Sequence, residues 1–211
     1  MTPATVVSVN VGRGKPMPGK SGVSSIDKRA VQGRVAARRL GLDGDSQSDT
    51  ANHGGPEQAV YAYAMEDLDD WARLLDRELR PGQFGENLST RGLDITGALI
   101  GETWRIGSAL LQVSRPRFPC VVFQNWLGEP HWVKRFTDDG RPGAYLRVLE
   151  EGELGEGDEV VIEDRPDHDV TIGLVFRART ADRSLIPRML DAPQLPEADY
   201  QFALRYTEEN S

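Results

Sequence analysis

The stretch Ala59-Val60-Tyr61-Ala62-Tyr63-Ala64 is a short β-branched and aromatic run, read as a strand, and the period changes at its end. From there the apolar positions fall at Met65, Leu68, Trp71, Ala72, Leu75 and Leu79, one face of a helix, until Pro81-Gly82 stops it. The neighbouring segments show what kind of fold holds this strand and helix. Upstream, Val6 to Val11 is β-branched and reads as a strand, a Gly- and Pro-rich loop runs from Gly12 to Gly22, Val31 to Ala37 reads as a second strand, and Gly41-Leu42-Asp43-Gly44-Asp45 is turn chemistry. Downstream, short strands are expected at Asn87 to Thr90, Thr103 to Ile106, Ala109 to Ser114, Ala144 to Leu149 and Glu159 to Glu163. Between Cys120 and Phe136 the chain can form one or two short helices, broken at Pro130. Strands and helices do not alternate, which argues against a doubly wound sheet. Many short strands with one inserted helix predict a mainly β, α+β fold, a closed or partly closed β-barrel.

Past Arg165-Pro166 the texture changes. Leu185, Ile186, Met189 and Leu190 fit a helix, as do Ala198, Tyr200, Ala203 and Leu204. Val170 to Phe176 reads equally as a strand or as a helix capped at Asp169 or Thr171. The expected division is a β-barrel domain over 1–166 and a small helical extension over 167–211.

Composition narrows the function. The 211 residues include 22 glycines and 13 prolines, a formal net charge of −8 and one cysteine, Cys120. That single cysteine excludes an internal disulfide, a zinc ribbon and a cysteine-ligated iron–sulfur cluster. The acidic balance argues against a general nucleic-acid or anionic-membrane binder, while leaving room for a local basic pocket. No apolar run is long enough to span a membrane, and Met1 to Met17 lacks a signal-peptide profile. A soluble cytoplasmic protein is expected.

Gly14-Lys15-Pro16-Met17-Pro18-Gly19-Lys20-Ser21 matches the phosphate-binding loop pattern letter for letter. Pro16 and Pro18 each remove a backbone donor from the cradle such a loop needs, and Gly22-Val23-Ser24-Ser25 is a poor helix start. A loop near a pocket entrance is the better reading. Cys120 has Arg115 and Arg117 within five residues and prolines at 116 and 119. A rigid, basic setting favours the thiolate, the form that attacks electrophiles and binds soft metals. His53 stands before Gly54-Gly55, where backbone can approach a ligand closely. Glu86 and Asn87 end a Gly-framed loop, with Glu86 a candidate proton donor or orienting group, or simply the cap of its own turn. Lys28, Arg29 and Arg34 are candidate anion contacts. A Cys120–His53 hydrolase remains open on these residues.

Taken together, these segments resemble the MOSC family, named after the C-terminal domain of molybdenum-cofactor sulfurases, in its compact bacterial YiiM-type branch. The pieces are Ile26-Asp27-Lys28-Arg29, Gly41 to Asp49, His53-Gly54-Gly55 with Ala59-Val60-Tyr61, Pro81 to Leu88, Pro116-Arg117-Phe118-Pro119-Cys120, and Leu149-Glu150-Glu151-Gly152. Asn52 stands where the family often has a second histidine. The resemblance implies a β-barrel that binds the molybdenum cofactor, with Cys120 as metal ligand. It also implies Lys28, Arg115 and Arg117 around the anionic tail, and Asp45, Gly54, Gly55 and Asn87 in the cofactor pocket. His53 and Glu86 join Cys120 as catalytic candidates. The segment from Val170 is then a helix, the first of a three-helix extension.

The activity implied is reduction of N-hydroxylated compounds, such as hydroxylaminopurines, hydroxamic acids and amidoximes, to amines. The chain carries no flavin or nicotinamide fingerprint and too few cysteines for a cluster, so an external flavoprotein reductase is expected as electron donor. The contrasting reading is a cofactor carrier or sulfur-transfer module without reductase activity. Homodimerisation is compatible with either.

Overall fold

The computed structural model describes residues 3–17, 22–46 and 54–210. Among these residues, thirteen strands and five α-helices follow in order. Strands β1 (Thr5–Val11), β2 (Lys15–Pro16), β3 (Val23–Ser24), β4 (Arg29–Ala30), β5 (Arg34–Arg38) and β6 (Gly41–Leu42) come first. A 3-10 turn, Pro56–Gln58, leads into β7 (Val60–Ala64), α1 (Met65–Leu74) and β8 (Leu88–Arg91). Then come β9 (Thr103–Ile106), β10 (Ala109–Pro116), α2 (Val121–Leu127), α3 (Trp132–Asp139), β11 (Ala144–Glu150), β12 (Gly152–Gly155) and β13 (Val160–Asp164). The chain ends with α4 (Ile172–Thr180), a 3-10 helix (Arg183–Asp191) and α5 (Glu197–Glu209).

Eight strands form one sheet in the order β13-β9-β10-β11-β7-β8-β1-β4, and β12-β5-β6 form a second. Neighbours in the large sheet are antiparallel except β7 and β8, which run parallel with α1 in the connection between them. The α+β architecture, a large sheet with inserted and C-terminal helices, is as expected, but strand and helix are present in about equal measure rather than mainly β, and the large sheet does not close as a continuous barrel ladder. The start of β1 meets the start of β13 through an isolated bridge, Thr5 to Glu159, flanked by Val6 N–H donating to Asp158 O at 2.9 Å and Val160 N–H to Ala4 O at 2.8 Å.

Three boundaries shift for local reasons. The strand expected from Val31 starts at Arg34, because Gly33 turns the chain at φ +81°. Helix α1 ends at Leu74, where Asp76 enters the left-handed region at φ +49°, although Leu75 and Leu79 still pack against the core. The helix expected around Leu185 to Leu190 is a 3-10 helix containing Pro187, which has no N–H to give an α-helical ladder. The ambiguous segment after Val170 is helical, with Thr171 Oγ1 accepting from Leu174 N–H at 3.0 Å.

Two cores hold these elements. A large aliphatic one joins strand residues such as Val9, Leu111 and Leu146 to Ile172, Val175, Met189 and Ala203 of the C-terminal helices. A compact aromatic one gathers Tyr61, Tyr63, Trp71, Phe84, Phe123, Trp132 and Phe136 under α1, α2 and α3. Among the described residues, no helix is long and apolar enough to cross a membrane.

Candidate functional site

The site begins with glycines that let two loops touch. In the loop Pro81 to Asn87, Gly82 and Gly85 take φ of +78° and +77°. A Cβ on Gly82 would meet Lys28 O at 2.6 Å, and one on Gly85 would meet Ile26 Cγ1 at 2.9 Å. The loop carrying Lys28 is therefore laid directly on the loop carrying Glu86. Arg80 adds a hydrogen bond to Lys28 O and pairs with Asp27 at 2.8 Å.

Glu86 is fully buried and tied down within its own loop. Its carboxylate accepts from the backbone N–H groups of Gly82 and Phe84 and from Ser89 Oγ at 2.8 Å. Burial raises its pKa, and these bonds oppose the rise. It does not line the cavity, so its observed work is to shape the turn. Asn87 is the neighbouring hub. Its Nδ2 donates to Asn10 O at 3.1 Å and Asp45 Oδ2 at 2.9 Å, and its Oδ1 accepts from Tyr61 N–H at 3.1 Å. Asp45 in turn takes Gly12 N–H at 2.7 Å and Lys28 Nζ at 2.5 Å. Burial lowers the Lys28 pKa, and the Asp45 charge resists it.

Above this floor lies a cavity with about 140 Å³ open to the centres of water molecules. It is lined by Lys28, Asp45, Gly54, Asn87, Arg117 and Cys120 together with Tyr61 and Tyr145. Six residues singled out in the sequence are thus brought to one place. Gly55 precedes the 3-10 turn at φ +80° and is not in the lining. Arg115 points elsewhere: it pairs with Asp199 of α5 at 3.1 Å. His53 lies outside the described residues, as do Asn52, Gln47 to Asp49 and the Pro18 to Ser21 half of the phosphate-loop pattern. In the described half of that pattern, Lys15–Pro16 form β2, which pairs with Val23–Ser24 of β3.

Arg117 decides the electrostatics. It is 7% exposed, hydrogen-bonds Phe84 O, and stacks its guanidinium 4.1 Å from the Phe123 ring and 5.0 Å from that of Tyr61. Burial works against its charge, yet interactions with Tyr61, Tyr145 and Cys120 hold its pKa above the ordinary value. Among the described residues it forms no ion pair, whereas Lys28 is neutralised by Asp45. A buried cation without an acid, facing a cavity, suits an anionic ligand. Cys120 is the N-cap residue of α2, in extended conformation at φ −136° and ψ 170°, so its sulfur leaves the chain where the helix begins. Positive charge beside a sulfur favours the thiolate. No group of three or more His, Cys, Asp or Glu side chains among the described residues could cage a metal ion. A metal held here would have to bring most of its own ligands.

Tyr61 and Tyr145 were not among the sequence candidates. They face each other in register on β7 and β11, with ring centroids 5.2 Å apart, and Tyr61 OH donates to Pro142 O at 2.8 Å. Each reads as a core aromatic in its own strand; only the pairing of the two strands puts both on the cavity.

Fold and site define a mixed α/β protein whose pocket-facing thiol, Cys120, stands with a buried cation in one cavity. The MOSC domain family matches residues 49–161. YflK from Bacillus subtilis (strain 168) is 34% identical over 199 residues, 92% of this chain and 90% of YflK. A protein named Reductase from Gibberella moniliformis is 31% identical over 208 residues, 94% of this chain and 36% of that protein. The crystal structure of YiiM from Geobacillus stearothermophilus aligns with a TM-score of 0.81 at 26% identity, covering 97% of this chain and 99% of that one. The chain belongs to the MOSC domain family, in the branch typified by YiiM.

Proposed function

We propose that this pocket binds the molybdenum cofactor, with Cys120 as a sulfur ligand to the metal, and that the chain reduces N-hydroxylated compounds to amines. The observation that carries the reading is the juxtaposition in one cavity of the only thiol and a buried guanidinium, Arg117, that forms no ion pair among the described residues. A pterin dithiolene with an anionic tail brings its own sulfur ligands and needs one further soft donor and a cation, which is the donor set available. Lys28 and Arg117 would hold the anionic portion, and Gly54 would allow close backbone approach. The bound group would supply two-electron redox chemistry and oxygen acceptance.

The balanced reaction is R–NHOH + 2 e⁻ + 2 H⁺ → R–NH₂ + H₂O. Cys120 fixes the ligand geometry, Arg117 keeps the local potential positive, and Tyr61 and Tyr145 wall the cavity against bulk water. With both Glu86 oxygens occupied by its own loop, we assign proton delivery to His53, the residue before the cavity-lining Gly54. Electrons come from an external flavoprotein reductase in the cytoplasm. The similarity to a larger protein named Reductase supports a redox role.

Elemental analysis of the native protein and of Cys120→Ser, each expressed in a cofactor-competent host, tests the binding. Molybdenum in the first and its loss in the second are expected; equal contents would remove Cys120 from the metal. Turnover of a hydroxylaminopurine with an added reductase then tests the activity. Molybdenum without turnover would favour the carrier reading, and repeated turnovers on NAD(P)H alone would eliminate the external donor.

A further inference from the structure

The cavity accounts for Arg117 and Cys120 but leaves the residues just before them, Arg115 and Phe118, unexplained. Both turn away from the cavity onto the C-terminal helices. Arg115 Nη2 lies 3.1 and 3.2 Å from the two carboxylate oxygens of Asp199, in the first turn of α5. Asp199 is 2% exposed, and Arg179 of α4 approaches it at 3.9 Å. Phe118 stacks on the fully buried Phe176 of α4, with centroids 5.6 Å apart and planes 18° from parallel. The guanidiniums of Arg115 and Arg179 lie 6.0 and 5.9 Å from the Phe118 ring, and Arg179 also sits 3.8 Å from the ring of Phe202. Alternate parts of one short segment are thus committed to two different places: Arg115 and Phe118 to the helices, Arg117 and Cys120 to the cavity. Strand β10 ends at Pro116 and α2 starts only at Val121, so the backbone ladders do not fix what lies between.

We propose that Asp199 and Phe176 are positioning residues for Cys120: the C-terminal helices brace the turn that carries the thiol and so set where the sulfur stands in the cavity. A buried carboxylate between two arginines has a definite location, because moving any member leaves a buried charge uncompensated. A stacked ring pair fixes the turn's second end. The inference rests on Cys120 being the working ligand of the site, but the brace itself involves only this chain's side chains.

The test uses the cofactor-free protein and reads Cys120 directly. Three variants are compared with the native chain: Asp199→Asn, Phe176→Leu, and Glu102→Gln. The last removes the charge by which buried Glu102 pairs with the exposed Arg165, at a residue that does not line the cavity, and serves as the destabilised control. Alkylation of Cys120 by iodoacetamide, in protein shown to be folded by circular dichroism, is expected to accelerate roughly fivefold or more in the first two variants and less than about twofold in the control. A nitroxide attached to Cys120 should show a sharper, more mobile line shape in the same two variants only. If Asp199→Asn does not fold, Phe176→Leu carries the comparison. Rates and line shapes that are unchanged, or that follow melting temperature equally in all variants, would overturn the brace. Molybdenum missing from native protein with the rate pattern intact would instead remove the cofactor reading and leave the brace standing.

Discussion

The aliphatic core and the aromatic core solve different problems. The aliphatic core is spread along the sheet and under the C-terminal helices, and its members are interchangeable in kind: Val9, Leu111, Leu146 and Val175 contribute buried area and little else. The aromatic core is small, and its members have named duties at the cavity. Phe123 lies under the Arg117 guanidinium, Phe84 provides the carbonyl that guanidinium bonds, and Tyr61 is both core ring and cavity wall. Phe84 itself meets Tyr63, Phe123 and Trp132 at centroid distances of 5.1, 5.2 and 5.4 Å. Stability is thus distributed over one core, and site geometry is concentrated in the other.

The contrast breaks most sharply at Phe84. Phe84→Ala should cost about 3–5 kcal/mol by denaturant unfolding, and molybdenum bound per folded molecule should fall with it. Leu111→Ala, equally buried in the other core, should cost about 3 kcal/mol yet leave the metal content of the folded fraction unchanged. If both variants lost metal alike, the division of labour between the cores would be wrong.

A smaller effect concerns pH. Asp67, on α1 beside the aromatic core, has its pKa raised from 3.8 to about 6 by burial, against the pull of Arg141. The folded value exceeds the unfolded one, so its contribution to stability is complete below pH 3.8 and is lost as pH climbs through 6. Its carboxyl is partly in contact with solvent, which reduces the contribution to about 1–2 kcal/mol. Melting temperatures of native protein and Asp67→Asn, compared from pH 4 to 7, should diverge across that window; parallel curves would refute the shift. The smallest change in stability is expected at Arg117. Arg117→Met removes a buried charge that has no acid partner, so unfolding free energy should move by less than about 1 kcal/mol, while molybdenum content falls at least about tenfold. A large loss of stability with cofactor retained would show that the guanidinium serves the aromatic core and not the ligand.

Much of this was legible in the sequence because the signals are local. β9, β10 and β11 follow alternation and turn residues, and Asp45, Asn87, Arg117 and Cys120 sit in Gly- or Pro-framed turns that are recognisable as they stand. What escaped depends on pairing. β12, Gly152–Gly155, has only Leu154 as an apolar mark and exists because it meets β5. Tyr61 and Tyr145 reach the cavity only through the β7–β11 register. For Glu86 the sequence leaves proton donor, orienting group and turn cap open, since its three donors depend on the φ values of Gly82 and Gly85 and on Ser89 in β8. Arg115 was grouped with Arg117 by proximity in sequence, whereas the end of β10 sends the two in different directions.

The Asn87 hub also has a kinetic consequence. Its side chain bonds partners 77, 42 and 26 positions away in the chain, so the floor of the cavity requires three long loops to be closed together. The floor also needs β1 and β7 on either side of β8, and pairings so far apart in sequence slow folding because their loop-closure entropy is met before they stabilise the chain. A molecule missing any one of these closures has no complete floor, so occupancy of the cavity reports on the whole sheet and not on one loop.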